Sequence, residues 1–263
     1  MDECTQGIVD MPRAGPNASW LSRRLQTDRL EYLDRDDVDD LKQKVVRAID
    51  RGGRRPRFGT YEKYARITLD EVSDRPAPRI LELGSGLGGL SRKLLEFHPS
   101  AQVTITDIDP SFVAGIAASD LGSHPRATVR VMDATAIDAP DRYFDLALFA
   151  LSLHHLPPEL ATRVFAEGTR AARKLLIIDV HRPSPPVHLA MLAAVLPFTR
   201  VAAIHDAVIS GLRAYSPSAI RALAHHADPT IAIEFRDHRT GPTVVLAGRP
   251  QQTLSKPHGS QID

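Results

Sequence analysis

Residues 80–91 read ILELGSGLGGLS, from Ile80 to Ser91. A strand-like run containing Glu82 ends in four closely spaced glycines, Gly84, Gly86, Gly88 and Gly89. Leu87, Leu90, Leu94 and Leu95 then recur at helical spacing. The pattern is a strand, a tight turn and a helix N-terminus. Glycine lets the backbone turn sharply and lets a ligand lie against bare main chain. The unpaired N–H groups of a helix start face that ligand. A nucleotide-like cofactor is the natural occupant.

Gly84, Gly86 and Gly89 also satisfy the G-x-G-x-x-G spacing of nicotinamide enzymes, so the glycines alone do not choose the cofactor. Two acids narrow the choice. Glu82 precedes the turn, where a carboxylate would meet a positive group rather than a pyrophosphate. The run Val103–Thr106 ends in Asp107, where an acid can accept from both ribose hydroxyls. Asp109 competes for that role if the strand ends later, and Asp107 has the alternative use of capping a helix that opens at Pro110.

Working outward, strands are expected near 79–83, 102–107, 128–132, 144–150 and 174–180. Helices are expected over 88–97, 110–120 and 158–172. This alternation implies a parallel sheet covered on both faces, with a ligand at the carboxyl ends of its strands. Pro76 and Pro78 separate this core from a helical layer upstream. There, Leu21, Leu25, Leu30 and Leu33 form one helical pattern, the acid-rich DRDDVDD breaks it, and Leu41, Val45, Val46 and Ile49 form a second. Asp36 or Asp37 is a candidate cap for the second helix. The basic link 51–57 reads as a solvated turn, and 58–72 reads as one amphipathic helix. Residues 1–16 look like a loose tail.

Four segments in order, ELGSGLG (82–88), VTITDIDPS (103–111), VMDATAI (131–137) and FDLALFALSLHHLPPE (144–159), resemble the motifs of class I S-adenosylmethionine-dependent methyltransferases. The resemblance runs from about Arg79 to Arg249 and is closest to the ubiquinone- and menaquinone-biosynthesis type and its relatives that modify small secondary metabolites. It implies an α/β, Rossmann-like fold: a seven-stranded, mostly parallel sheet with an antiparallel last strand, a helical N-terminal extension and a helical cap. Ile231–Phe235 and Thr243–Ala247, joined through Gly241-Pro242, suit the closing antiparallel hairpin. The expected organisation is a tail and helical layer over 1–75, the methyltransferase domain over 76–250 with a cap insertion at 182–216, and a disordered tail over 251–263.

The cofactor implied is S-adenosyl-L-methionine. The resemblance places its contacts on Tyr61, Glu82, Gly84, Ser85, Gly86, Gly88, Asp107, Ile108, Asp133, Ala134, Ala150 and Leu151. Glu82 with the backbone of Gly84 and Gly86 would hold the amino-acid part, Asp133 and Ala134 the adenine, and Ala150 and Leu151 the surroundings of the sulfonium. Tyr61 and Tyr64 lie on a helix that closes over the methionine end in such enzymes. Asp133 as a plain turn acid, and the tyrosines as packing residues, are the bland alternatives.

Methyl transfer from a sulfonium needs mainly alignment and exclusion of water, and a phenol or enol acceptor gains from a positioned base. Histidine suits that task near neutral pH. The catalytic candidates are His154, His155 and the pair His205 and Asp206, with His181 behind them. Adjacent residues on a helix do not face each other, which argues against a local His205–Asp206 dyad. Arg213 and Tyr215 are candidate substrate contacts in the cap. Two adjacent histidines do not readily share a metal, and no H-x-x-x-H or cysteine partner is present, so no metal is expected.

The 263 residues are 43% apolar, enough for one α/β core with a cap. A formal charge of +1 argues against a nucleic-acid footprint. There is no run of about 18 apolar residues, so no membrane partner is expected. The first 16 residues lack the apolar stretch of a secretory signal, and the single Cys4 has no partner for a disulfide. A cytoplasmic enzyme acting on a small-molecule acceptor is the expectation. VHLAMLAAVLPF (187–198) is apolar on nearly every side and must bury more than one face, as a lid or as the contact of a homodimer.

Overall fold

The computed structural model describes residues 7–35, 37–55, 59–195, 201–236 and 241–250. Its centre is one sheet of seven strands: β1 (Arg79–Leu83), β2 (Gln102–Asp107), β3 (Ala127–Val131), β4 (Phe144–Ala150), β5 (Ala172–Asp179), β6 (Ala232–Arg236) and β7 (Thr243–Gly248). The order is β3-β2-β1-β4-β5-β7-β6, and only β7 runs antiparallel to its neighbours. The chain order reverses between β1 and β4, where Leu81 lies opposite Ala147. A crevice at the carboxyl ends of these two strands is the position that a doubly wound sheet gives its ligand.

Side-chain alternation along the strands divides the core into two layers. Leu81, Leu83, Ala147, Phe149, Leu175 and Ile177 face the helices Pro158–Ala171 and Pro217–Ala227. Ile80, Leu146, Leu148, Leu176 and Ile178 face Thr60–Asp70, Gly89–Phe97 and Pro110–Ala117. The strands are buried on both faces, which is why they read as near-continuous apolar runs. Helix starts follow capping chemistry: Asp109 accepts from the Ser111 N–H ahead of Pro110, and Ser216 accepts from the Ala219 N–H ahead of Pro217.

The N-terminal layer departs from the expectation in three ways. Residues 7–16 are docked, not loose: Ile8 and Met11 are buried in the first core layer, and the Ser216 N–H donates to the Arg13 carbonyl. Leu21 to Leu33 is not one helix. It is a five-residue helix, Trp20–Arg24, an extended stretch and a 3-10 turn, Tyr32–Asp34, because the intervening QTDR has no apolar residue to continue the pattern. The next helix, Asp39–Gly53, is preceded by Val38 with no side-chain cap, and Asp37 pairs with Arg35 instead; Asp36 lies outside the described residues.

The cap is built from Pro185–Val195 and Ala202–Arg213. The first of these does not bury its apolar faces: Val187, Leu189 and Met191 are each more than half exposed, and only His188 is buried. The tail over 251–263 lies outside the described residues. No described helix is long and apolar enough to cross a membrane.

Candidate active site

A cavity of about 920 Å³ opens at the switch point between β1 and β4. The glycine turn forms its floor. Gly84, Gly86 and Gly88 all take positive φ, a region open to glycine and costly for other residues. Their roles differ. A Cβ on Gly86 would meet nothing within 4 Å, so its open side faces the cavity. A Cβ on Gly84 would lie 2.9 Å from Ser152 Oγ. Gly88 is off the cavity wall, and a Cβ there would lie 2.7 Å from Leu121, so this glycine serves packing at the helix start. Gly89 has a further task. A Cβ on it, or on Gly53, would strike the Tyr61 ring, so two glycines from different helices make the slot that holds this tyrosine on the cavity wall.

Asp107 ends β2 and is buried. Its Oδ2 accepts from the Gly86 N–H at 2.8 Å and its Oδ1 from the Asp109 N–H at 3.0 Å. Each oxygen keeps a lone pair for a ligand hydroxyl. Burial raises its pKa, partly opposed by these backbone donors. Asp109 is committed elsewhere: it caps the following helix and pairs with Lys42 at 2.7 Å. Burial works against its charge, but Lys42 and Ser111 hold its pKa down at about 2.

Glu82 is buried, and the Ser91 hydroxyl donates to it. Desolvation pushes its pKa up to about 7, reinforced by Asp107 and opposed by Ser91. Ser85 Oγ is buried without a hydrogen-bond partner, as expected of a group whose partner is a ligand. Asp133 accepts from Thr135 N–H at 2.7 Å through Oδ1, so it is both a turn acid and a cavity residue. Ile108, Ala134, Ala150 and Leu151 also line the cavity. Leu151 has φ of 54°, a strained value for a branched-chain residue, held by its N–H bond to the Ile178 carbonyl.

The far wall carries a buried ionic cluster. A 3-10 turn, Leu153–His155, places both histidine rings on one side, with centroids 4.2 Å apart. His154 Nδ1 lies 2.6 Å from Asp179 Oδ1, and its Nε2 lies 3.4 Å from Glu31 Oε1. His155 Nδ1 lies 2.8 Å from Asp34 Oδ1, out of line for a straight hydrogen bond. Burial alone would lower the His154 pKa; Asp179 and Glu31 overcome it and hold the ring up at about 9. Burial likewise opposes the charge of Glu31, but the histidines and Ser210 keep it below the usual carboxylate range. His154 is thus committed to two carboxylates, whereas His155 is 19% exposed; both rings line the cavity.

Besides Gly88, five candidates from the sequence are not on the cavity wall. His205 Nδ1 does reach Asp206 Oδ1, at 3.0 Å, despite their adjacency, because both lean on one turn: Asp206 accepts from the Tyr32 N–H at 3.1 Å and His205 stacks on the Tyr32 ring. The pair therefore anchors the segment that presents Glu31 and Asp34. Arg213 donates to the carbonyls of His154 and His155 and pairs with Asp34 at 2.8 Å. Tyr215 donates to the Leu156 carbonyl at 2.8 Å. These contacts make Arg213 and Tyr215 the framework behind the histidine turn. His181 lies beside Thr243, off the cavity. Glu31 and Asp34 were missed in the sequence because Glu31 is a single acid in a non-periodic segment and Asp34 opens the acid-rich DRDDVDD, which reads as a solvated break until the fold brings both acids 120 or more positions along the chain to the histidines.

The strand order, the glycine turn and the acid at the tip of β2 define a class I methyltransferase architecture. Residues 80–174 match the family described as a methyltransferase domain. The chain is 28% identical to the ubiquinone/menaquinone biosynthesis C-methyltransferase of Shewanella sediminis over 134 residues, 49% of this chain and 53% of that protein. It is 26% identical to the protein of that name in Ectopseudomonas mendocina over 133 residues, 49% and 52% of the two chains. The chain spans about half the length of the curated relatives it matches. Among solved structures, human N-acetylserotonin methyltransferase aligns at a TM-score of 0.56 with 15% identity, over 88% of this chain and 66% of that one. The [4+2]-cyclase SpnF aligns at 0.56 with 17% identity, over 79% and 75%. Such likenesses speak to the fold, and a cyclase among them shows that this fold does not by itself choose a reaction. Residues 80–174 carry the methyltransferase-domain match, and the strand order around them is that of the class I methyltransferase fold.

Proposed function

We propose that the protein transfers a methyl group from S-adenosyl-L-methionine to oxygen or carbon of a small, largely apolar aromatic or polyketide-like acceptor. The observation that carries this reading is the Gly86–Asp107 pair. Bare main chain and a buried carboxylate with free lone pairs share one wall of a cavity that continues past Ala150 and Leu151 to the histidine turn.

The residues fit the cofactor. Asp107 suits a vicinal diol, Glu82 suits the cationic end, and the partnerless Ser85 hydroxyl offers one more polar contact. When bound, the cofactor supplies a methyl group already activated by a sulfonium charge. The protein's part is then to orient the acceptor within about 3–3.5 Å and keep water out. The wall supports an apolar acceptor: Leu30, Leu33, Val46, Phe112 and Leu156 contribute to it. His155 is the candidate to take a proton from a hydroxylated acceptor, since both ring nitrogens of His154 are engaged by carboxylates.

Calorimetry with S-adenosylmethionine, followed by a donor-consumption assay over phenols, quinols, indoles and enolic polyketides, tests the reading. The expected result is one cofactor bound per chain and turnover with at least one apolar acceptor. Absence of cofactor binding would overturn it, and binding without turnover over the whole panel would favour a non-catalytic nucleoside-binding module.

A further inference from the structure

We propose that Glu31, His154 and His155 form a site for one divalent transition-metal ion on the wall of the cavity. One ligand atom from each of the three residues lies within 4.8 Å of the other two. Both ε nitrogens point at the same carboxylate: His154 Nε2 is 3.4 Å from Glu31 Oε1 and His155 Nε2 is 4.0 Å from Glu31 Oε2. A shift of a few tenths of an ångström in each side chain brings such a set to the 2.0–2.2 Å bonds that zinc makes with imidazole and carboxylate.

The surroundings of the rings make the case stronger than proximity does. Metal-bound histidines almost always rest their other ring nitrogen on a carboxylate, a carbonyl or water, which fixes the ring and raises its basicity. His154 Nδ1 does so on Asp179 at 2.6 Å, and His155 Nδ1 has the Asp34 carboxylate beside it at 2.8 Å, out of line for a hydrogen bond until the ring turns. Those carboxylates are fixed in turn, Asp179 by the N–H groups of His154 and Val180, and Asp34 by Arg213. Glu31 is oriented by the Ser210 hydroxyl at 2.8 Å. The objection from sequence, that adjacent histidines diverge, is met by the 3-10 turn that stacks the two rings at an interplanar angle of 35°.

Charge points the same way. Three carboxylates, Glu31, Asp34 and Asp179, converge on this cluster, and Arg213 is the guanidinium that pairs with one of them. Arg13, the next nearest, spends its Nη1 on the carbonyls of His154 and Arg213. A divalent cation that displaces the His154 proton balances the three carboxylates together with Arg213. Two imidazoles and one carboxylate suit zinc, iron(II) or manganese, and they leave coordination positions open. All three ligands line the cavity, so those positions face the space assigned above to the acceptor. On that reading of the cavity, the ion would replace His155 in its proposed role: it would take the hydroxyl or enol oxygen of the acceptor as a further ligand and favour loss of that proton in place of a histidine base.

The test is a titration of the chelator-treated protein with Zn²⁺ by calorimetry, repeated with Co²⁺ and read by its visible absorption, with no cofactor or acceptor present. One equivalent of each is expected. Glu31→Gln and His155→Ala should abolish stoichiometric binding, and Asp34→Asn, which removes the carboxylate behind the His155 ring and its charge pair with Arg213, should weaken it roughly 10–100-fold in the folded protein. Circular dichroism identifies any variant that does not fold, and Asp34→Asn and Glu31→Gln, being isosteric, serve if His155→Ala fails. Lack of a bound equivalent in the parent protein, or unchanged affinity in folded Glu31→Gln and Asp34→Asn, overturns the proposal. Binding of S-adenosylmethionine is measured separately, so failure of the metal site leaves the methyl-transfer reading standing, and the reverse also holds.

Discussion

The Gly86 N–H donates to Asp107 Oδ2 at 2.8 Å, which ties the turn after β1 to the tip of β2 before any ligand arrives. Two elements 21 positions apart in sequence thus present bare main chain and a carboxylate as one rigid surface. Asp109, the rival acid, is spent on Lys42 and on the cap of the next helix. Asp107→Asn should therefore weaken S-adenosylmethionine binding by about 1.5–3 kcal/mol, the usual value of hydrogen bonds to a charged group. Asp109→Ala should instead cost about 1 kcal/mol of stability through the lost cap and leave affinity near normal. Calorimetry and denaturant titration of the two variants separate the roles; the opposite pattern would move the ribose contact to Asp109.

At Gly86 two costs act together. With φ of 55° and open space where a Cβ would stand, a side chain there strains the backbone and enters the cavity. Gly86→Ala should destabilise by roughly 1–2 kcal/mol from the left-handed conformation alone and weaken the cofactor by more than that strain accounts for. Gly86→Val should bind no cofactor while keeping its circular dichroism spectrum. By contrast, Gly88→Ala meets Leu121 at 2.7 Å and should lose stability with little direct effect on affinity. Equal affinity losses in Gly86→Ala and Gly88→Ala would contradict the distinction.

Glu82 gives a pH dependence with a definite sign. Its pKa stands at about 7 in the free protein, chiefly through desolvation. An acid whose folded pKa is raised makes folding stability fall as pH rises from the ordinary carboxyl range towards 7, because the unfolded chain gives up its proton first. A cationic ligand beside Glu82 favours the ionised form, so its binding releases a proton. Affinity should fall roughly tenfold per pH unit below 7, one pKa unit being about 1.4 kcal/mol. Calorimetry in buffers of different ionisation enthalpy should show proton release near neutrality, and Glu82→Gln should lose both the release and the slope. A pH-independent affinity in the parent protein would remove Glu82 from the cationic end.

The strands were legible because each is buried on both faces: 79–83, 102–107 and 144–150 coincide with the apolar runs that mark them. The glycine-turn end of the cavity was legible for a related reason, since positive φ at Gly84 and Gly86 favours glycine and so writes itself into the sequence. The end at the histidine turn was not. Glu31 and Asp34 stand in a segment held by three buried arginines, Arg13, Arg182 and Arg213, whose donors go largely to backbone carbonyls. Such contacts leave no periodic mark, because any residue has a carbonyl to offer. The helix Pro185–Val195 failed in the other direction: an all-apolar pattern predicts burial, yet Val187, Leu189 and Met191 face outward in the single chain.

Arg213 tests whether that segment is held as described. It is buried and bonds the carbonyls of Arg29, His154 and His155 as well as Asp34, so one side chain joins the N-terminal layer, the histidine turn and the cap helix. Removing one partner of a buried ion pair usually costs about 3–5 kcal/mol. Asp34 keeps some contact with solvent, which argues for the lower end, about 3 kcal/mol for Arg213→Ala. Arg213→Lys should recover only part of this, because one ammonium cannot match a planar fork that serves four acceptors. Since Arg213 is off the cavity wall, cofactor affinity in the folded fraction should stay within a few-fold of the parent. Denaturant midpoints and calorimetry measure both quantities, and an Arg213→Ala protein as stable as the parent would mean that residues 7–34 are not fastened to the histidine turn through this guanidinium.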